Sequence, residues 1–316
     1  MSSTAPTQRP ELRPQLRPLA AADLERVVAL DAALGGHSRR AYFERRLGAA
    51  LRDPEHHLQY AANDAWDLGG FALARVLAGE FGRDRPALML EVIGVSFQHR
   101  GRGIGSLLLE ELEREAERRG IRELWTQASW RQERMLRFLA RSGFELAAPE
   151  VLGCAVPALA RGEDAEAARD RHEVRTLAAS DLEEIVRIDR HLLGRERRDY
   201  MQGRLGEAMG DSAVRVSLVA RCEDSIAGYA MARMDFGDFG RAEPVAVLDT
   251  LGVDPGFAHR GVGAALLSQL AVNLAALGIE RIETSVAHDD FELLGFLYRA
   301  GFTRSPRLAF VKRFDS

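Results

Sequence analysis

Val95-Ser-Phe-Gln-His-Arg-Gly-Arg-Gly-Ile-Gly105 returns 158 positions later, without a gap, as Val253-Asp-Pro-Gly-Phe-Ala-His-Arg-Gly-Val-Gly263. The same offset joins Arg17 to Arg175, Asp23 to Asp181, Tyr42 to Tyr200, Arg75 to Arg233, Thr126 to Thr284, and Gly143-Phe144 to Gly301-Phe302. One register held over so long a span is a duplicated domain and not a short-period solenoid. A chain of 316 residues is long enough for two cores. The repeat places a leader, expected to be mobile, over 1–11, a first domain over 12–157, a charged linker over 158–171 and a second domain over 172–316.

Within each half, apolar periodicity predicts a mixed α+β unit. Asp23 is the expected N-cap of a helix with Leu24, Val27, Val28 and Leu30 on its apolar face. A second helix starts at Arg40. Strands follow near 58–62 and 70–76, and Leu88–Val95 reads as a central strand covered on both faces. Residues 103–119 form an amphipathic helix stopped by Gly120, followed by a strand over 121–128, a helix over 132–141 and closing strands from Phe144. The linker, RGEDAEAARDRHE, suits an exposed helix or a loose tether equally.

Composition narrows the function. A net charge of −4 gives no overall field for nucleic acid, and no apolar run spans a bilayer, so neither nucleic acid nor membrane is an expected partner and the expected location is cytoplasmic. Cys154 and Cys222 stand opposite Lys312 and Asp64 in the repeat, so no metal or nucleophile role is expected of them.

A strand that runs through glycines into a helix leaves the first helical amides unpaired and pointing outward, which makes an anion site. Gly103 and Gly105 let an anion approach those amides and tolerate the positive φ of a nest-like turn, and Arg100 and Arg102 add charged donors. A P-loop is set aside because no lysine follows Gly105. A dinucleotide fingerprint is set aside because G-R-G-I-G lies deep in the domain, after several strands.

The Arg-x-x-Gly-x-Gly turn between an apolar strand and a long amphipathic helix resembles the GNAT superfamily of acyl-CoA-dependent N-acetyltransferases, and each half resembles one GNAT domain over nearly its whole length. The resemblance implies two splayed mixed sheets flanked by helices, with acetyl-CoA as co-substrate and no metal. Its pantetheine would lie along Ile93, Gly94 and Val95, and its pyrophosphate on Arg100, Gly101, Arg102, Gly103, Ile104, Gly105 and Ser106. The matching positions of the second half are Leu251, Gly252 and Val253, then Arg260, Gly261, Val262, Gly263 and Ala264. There Ala258 replaces Arg100, which makes the first half the better equipped catalyst.

Acetyl transfer to an amine needs a proton acceptor, because an alkylammonium has a pKa of about 10.4. Glu91 and Asp249, acidic residues within apolar strands, are the expected bases, with pairing to Arg75 or Arg233 as the competing explanation. Strand alternation puts Glu91, Ile93 and Val95 on one face. Many GNAT enzymes carry a tyrosine four residues before the terminal Gly-Phe; here that place holds Leu139 and Leu297, and Tyr298 is turned aside. The acceptor, a small-molecule or protein amine, is left open. Trp130, His288 and the pairs Arg39-Arg40 and Arg197-Arg198 are its candidate contacts. Two other readings stay open: one or both halves hold acyl-CoA without turnover, or the second half is a structural partner in an internal pseudo-dimer.

Overall fold

The computed structural model describes residues 14–64, 67–160, 163–210 and 216–314. The leader over 1–11 lies outside them. The chain divides into two compact units, the first made of residues 1–76 and 89–120 and the second of 77–88 and 121–316.

In the first unit, strand β1 (Gln15–Pro18) leads through a short turn to helices α1 (Leu24–Gly35) and α2 (Arg40–Arg52). Strands β2 (His57–Asp64), β3 (Asp67–Leu77) and β4 (Ala87–Val95) follow, and helix α3 (Ile104–Arg118) closes the unit. The strands lie in the order β1-β2-β3-β4. Residues Leu68–Ala74 and Ala87–Val92 are all buried, as expected of inner strands with both faces covered. Asp23 does stand just before α1, but its side chain does not cap the helix. The carboxylate accepts from the Ala20 amide at 2.9 Å and from both Nη atoms of Arg17 at 2.6 and 2.7 Å, and Asp181 and Arg175 repeat the arrangement.

The second unit holds β5 (Glu123–Ser129), α4 (Glu133–Arg141), β6 (Glu145–Leu146) and β7 (Glu150–Ala155). The described residues of the linker lie in α5 (Val156–Ala160) and α6 (Glu163–Arg171). Then come β8 (Glu173–Thr176), α7 (Leu182–Leu193), α8 (Arg198–Gly210), β9 (Leu218–Cys222), β10 (Ser225–Asp235) and β11 (Val245–Val253). Helix α9 (Val262–Ala276), β12 (Arg281–Val286), α10 (Phe291–Arg299), β13 (Thr303–Arg304) and β14 (Arg307–Arg313) complete it. One mixed sheet of seven strands runs β13-β7-β12-β11-β10-β9-β8, and β14 lies between β5 and β6.

One feature of the second unit was not expected. Strands β7 and β14 occupy equivalent repeat positions, yet β7 from the first half pairs with β12 and β13, and β14 from the second half pairs with β5 and β6. The halves have exchanged their last long strands. The parallel ladder between β11 and β12 consists of Ala246↔Ile282 and Val247↔Glu283 and stops there although both strands run on, which is the splay that the resemblance implies. Beyond it, the Thr284 hydroxyl donates to the Leu248 carbonyl at 2.8 Å.

The sheet of the second unit carries a core on each face. Leu218, Ala230, Leu248, Leu266 and Leu270 are among the residues packed on the α9 side, and Ile185, Ile188, Tyr200, Tyr229 and Met231 on the α7–α8 side. Among the described residues no helix is long and apolar enough to cross a membrane.

Candidate coenzyme turn and its repeat

Both predicted turns have the predicted shape. After β4, the Ser96 amide donates to Gly69 O at 2.9 Å, which pins the strand end to β3 before the chain turns through Phe97–His99. Gly101 and Gly103 then take left-handed φ of 77° and 79°, and Gly103 is the N-cap of α3. Among the described residues nothing lies within 4 Å of where a Cβ on Gly101 or Gly103 would stand. The amides of Ile104, Gly105 and Ser106 open the helix with no acceptor from within it. Arg100 is exposed, its guanidinium 4.0 Å from the centroid of the Phe97 ring.

Packing explains the other glycines. A Cβ on Gly70 would come within 2.8 Å of Ile104 Cγ2 and 2.9 Å of Gly94 O; on Gly228 it would come within 2.8 Å of Gly252 O and 2.9 Å of Val262 Cγ1. The first residue of α3 or α9 is thus seated directly on the neighbouring strand. Of the two glycines expected to need positive φ, only Gly103 does; Gly105 lies inside α3. Its equivalent Gly263 is small for packing, since a Cβ there would stand 3.0 Å from Phe296 Cζ.

The second turn keeps the backbone and changes its surroundings. Gly261, with φ of 86°, caps α9, but His259 stands in place of Gly101 and holds φ of 60° as a non-glycine. Such a conformation costs about 1 to 2 kcal/mol. A Cβ on Gly261 would meet Ala168 Cβ at 3.4 Å, Arg171 Nη2 at 3.8 Å and His172 Nε2 at 3.9 Å, and His172 Nε2 bonds to Arg260 O at 2.9 Å. Arg260 lies 5.3 Å from the Phe257 ring centroid. Ala168 to His172 were not expected at this site. The signal available was the composition of α9, which has no charged residue in fifteen positions.

Glu91 and Asp249 are buried in ion pairs. Glu91, 3% exposed, is held by Arg46 Nε at 2.5 Å and Arg75 Nε at 3.0 Å, and Arg46 Nη2 also donates to Ala74 O at 2.6 Å. Burial alone would raise the Glu91 carboxyl, but the Arg46 and Arg75 guanidiniums outweigh it and hold the group below its ordinary value. Burial and Arg46 together lower the neighbouring His57. Asp249, 2% exposed, repeats the pattern with Arg204 Nη2 at 2.5 Å and Arg233 Nε at 3.6 Å. This is the competing arginine-pairing explanation, with Arg46 and Arg204 as partners that the pattern Tyr42, Phe43, Arg46, Leu47 already contained: a cation in an apolar helix stripe, once in each half.

The expected alternation also fails, for a stated reason. In β11 the register passes from Met231↔Thr250 to Ala232↔Leu248, leaving Asp249 as the extra residue of a β-bulge. Asp249 and Thr250 consequently both face α8, where Tyr200 Oη bonds to Thr250 Oγ1 at 3.0 Å, while Leu251 and Val253 pack with the α9 core. In β4, likewise, Glu91 meets α2, and a Cβ on Gly94 would meet Leu34 of α1 at 3.1 Å, so residues three apart share a face. Glu91 is therefore not aligned with Ile93 and Val95.

The arginine pairs are accounted for by intrachain partners. Arg39 and Arg197 are buried against Asp31 and Asp189, with Nε to Oδ2 distances of 2.8 and 2.9 Å, and Tyr229 Oη donates to Asp189 at 2.9 Å. Arg40 and Arg198 bind Glu25 and Glu183 on the surface. Leu139 and Leu297 are buried, and the Tyr298 hydroxyl donates to Glu150 at 2.9 Å. Trp130 is exposed beside Arg131, and Cys154 is buried with its thiol pushed up by burial. Among the described residues no cluster could hold a metal ion.

This double strand–turn–helix arrangement has known relatives. The chain resembles, at 14% identity and TM-score 0.68 over 96% of its length, a GCN5-related glucosamine N-acetyltransferase region of a fungal multi-domain GH3 β-N-acetylglucosaminidase, and spans 38% of that protein. It resembles a tandem GNAT protein from the clavulanic acid biosynthesis pathway at 16% identity and TM-score 0.65, covering 96% of this chain and 99% of that one. A GCN5-related N-acetyltransferase from Sphaerobacter thermophilus matches at 18% identity and TM-score 0.62, over 95% and 96%. These likenesses concern the fold. The family model for the acetyltransferase (GNAT) family matches residues 23–144 and again 180–302, and the chain therefore belongs to the GNAT acetyltransferase family, with two copies of its domain.

Proposed function

We propose that the protein transfers an acetyl group from acetyl-CoA to an amine, and that the first turn holds the coenzyme. The observation that carries this reading is the start of α3: two left-handed glycines with nothing within 4 Å of a Cβ position among the described residues, and the exposed Arg100 in the same turn. A pyrophosphate fits such a site through amide hydrogen bonds, the helix dipole and a charge-assisted donor. Acetyl-CoA supplies a thioester for direct attack by the amine. The backbone of Ile93, Gly94 and Val95 would carry the pantetheine, and their amides would polarise the thioester carbonyl.

Glu91 is assigned a positioning role in this reading. A proton acceptor works best with a pKa near the operating pH, whereas a carboxylate clamped by two guanidiniums is held the other way. The amine proton goes to water in the cleft. Asp249 fixes β11 in the same manner, and the second half contributes structure, including strand β14.

The test is thiol release from acetyl-CoA against a panel of small amines and amine-bearing peptides. Release that requires both an amine and an intact first turn supports the reading. Tight coenzyme binding with no amine-dependent release would make the protein a non-catalytic acyl-CoA binder.

A further inference from the structure

Among the described residues, the two turns differ most in what covers them. Helix α3 carries seven charged residues and buries five side chains, whereas α9, at the equivalent positions, carries none and buries eight. A helix without charged residues that buries more than half of its side chains is covered on more than one side. For α9 the second cover is the linker: Val156 and Leu159 of α5 share a core with Leu266, Leu267 and Leu270, and Ala168 of α6 is 1% exposed. The end of α6 reaches the turn itself. Ala168 Cβ, Arg171 Nη2 and His172 Nε2 stand 3.4, 3.8 and 3.9 Å from where a Cβ on Gly261 would be, and His172 binds the Arg260 carbonyl. At the same turn Ala258 removes the cation that Arg100 supplies, and His259 holds a glycine conformation.

We propose that α6 is a built-in cover over the second turn, so that the second half admits no pyrophosphate and one chain takes one acyl-CoA. The inference rests on the coenzyme reading given above for the first half. A phosphate oxygen must come within about 3 Å of an amide nitrogen to bond it. The approach over Gly261 is bordered by a methyl group, a guanidinium and an imidazole of the same chain. The lost charges on α9 are what a permanent cover leaves behind, since a helix that was periodically uncovered would expose an apolar face.

Native mass spectrometry with coenzyme A tests the proposal on the full chain. Wild type should bind one molecule and Gly103→Val none. Two molecules on wild type, or one remaining on Gly103→Val, would overturn the cover. If Gly103→Val does not fold, Arg100→Ala decides: a single weakened site supports the cover, and an additional site of unchanged strength overturns it. No binding by wild type would instead sink the coenzyme reading, and the cover is then judged from amide exchange over 167–172. Exchange slowed at least about a hundredfold against an unstructured chain supports it, and unprotected amides overturn it.

Discussion

The turns at Gly103 and Gly261 share a backbone and differ in almost everything that faces away from it. What the duplication has kept is what folding needs. Gly70 and Gly228 let the helix start sit on the sheet, Gly94 and Gly252 make room for Phe71 and Tyr229, and the triads Glu91–Arg46–Arg75 and Asp249–Arg204–Arg233 fill the same buried place. What differs is what the proposed coenzyme site would use: the cation at Arg100, the glycine at Gly101 and, among the described residues, open space over the turn. Fold and site have been inherited separately.

The largest effect should come from the part the halves share. Removing one partner of a buried ion pair costs about 3–5 kcal/mol, so Glu91→Ala and Asp249→Ala should each lower stability by that order in urea unfolding. A large loss in one and a negligible loss in the other would break the equivalence of the two cores. The pH dependence has a definite sign for Glu91. Its carboxyl is depressed in the folded protein, so its contribution is fully present above the ordinary value of 4.5 and disappears as the pH falls through the lower folded value. Glu91→Gln should therefore flatten the acid limb of the stability curve. It should leave the shape of the pH profile of kcat/KM unchanged near neutrality; a selective loss there, recovered at high pH, would restore Glu91 as the base.

An intermediate effect separates the missing cation from the cover. A charge-assisted hydrogen bond is worth about 1.5 to 3 kcal/mol, and exposure and salt reduce it, so Arg100→Ala should weaken coenzyme binding by roughly tenfold, less at high ionic strength. The converse substitution, Ala258→Arg, should give no second binding event by calorimetry, because it returns the charge without uncovering Gly261. A second event in Ala258→Arg would mean that charge alone distinguishes the turns.

Much of this was legible in the sequence. The two-domain repeat, the succession of elements and the strand–turn–helix site all follow from periodicity and glycine spacing, because those are local constraints. The exchange of β7 and β14 was not legible, since repeated sequences offer the two sheets nearly equivalent edges and nothing local selects between them. Strand alternation fails at Asp249 because a bulge inserts one residue without any mark in an apolar run. Arg46 and Arg204 were not singled out because their partners lie far away in sequence: Arg46 is 45 residues from Glu91, and Arg204 is 45 from Asp249. The cover over Gly261 left a trace in the uncharged α9, visible once α9 is set against α3.

The smallest effect belongs to Tyr298, and it bears on which half does chemistry. Its hydroxyl donates to Glu150 at 2.9 Å, and Glu150 also accepts from Arg304 Nη2 at 2.8 Å, so the phenol is anchored at the edge of β7. Leu297, at the place where family members carry a tyrosine, points into the core, and the neighbouring Tyr298 is 42% exposed. Losing an exposed hydroxyl that has an alternative partner in water should cost less than about 1 kcal/mol. Tyr298→Phe should accordingly leave kcat within about twofold of wild type, as expected of a thiol leaving group with a pKa of about 8.5 that needs no dedicated acid. Steady-state thiol release measures this directly. A tenfold or greater fall in kcat, with coenzyme affinity unchanged, would make Tyr298 the acid and move the chemistry to the half whose turn is covered.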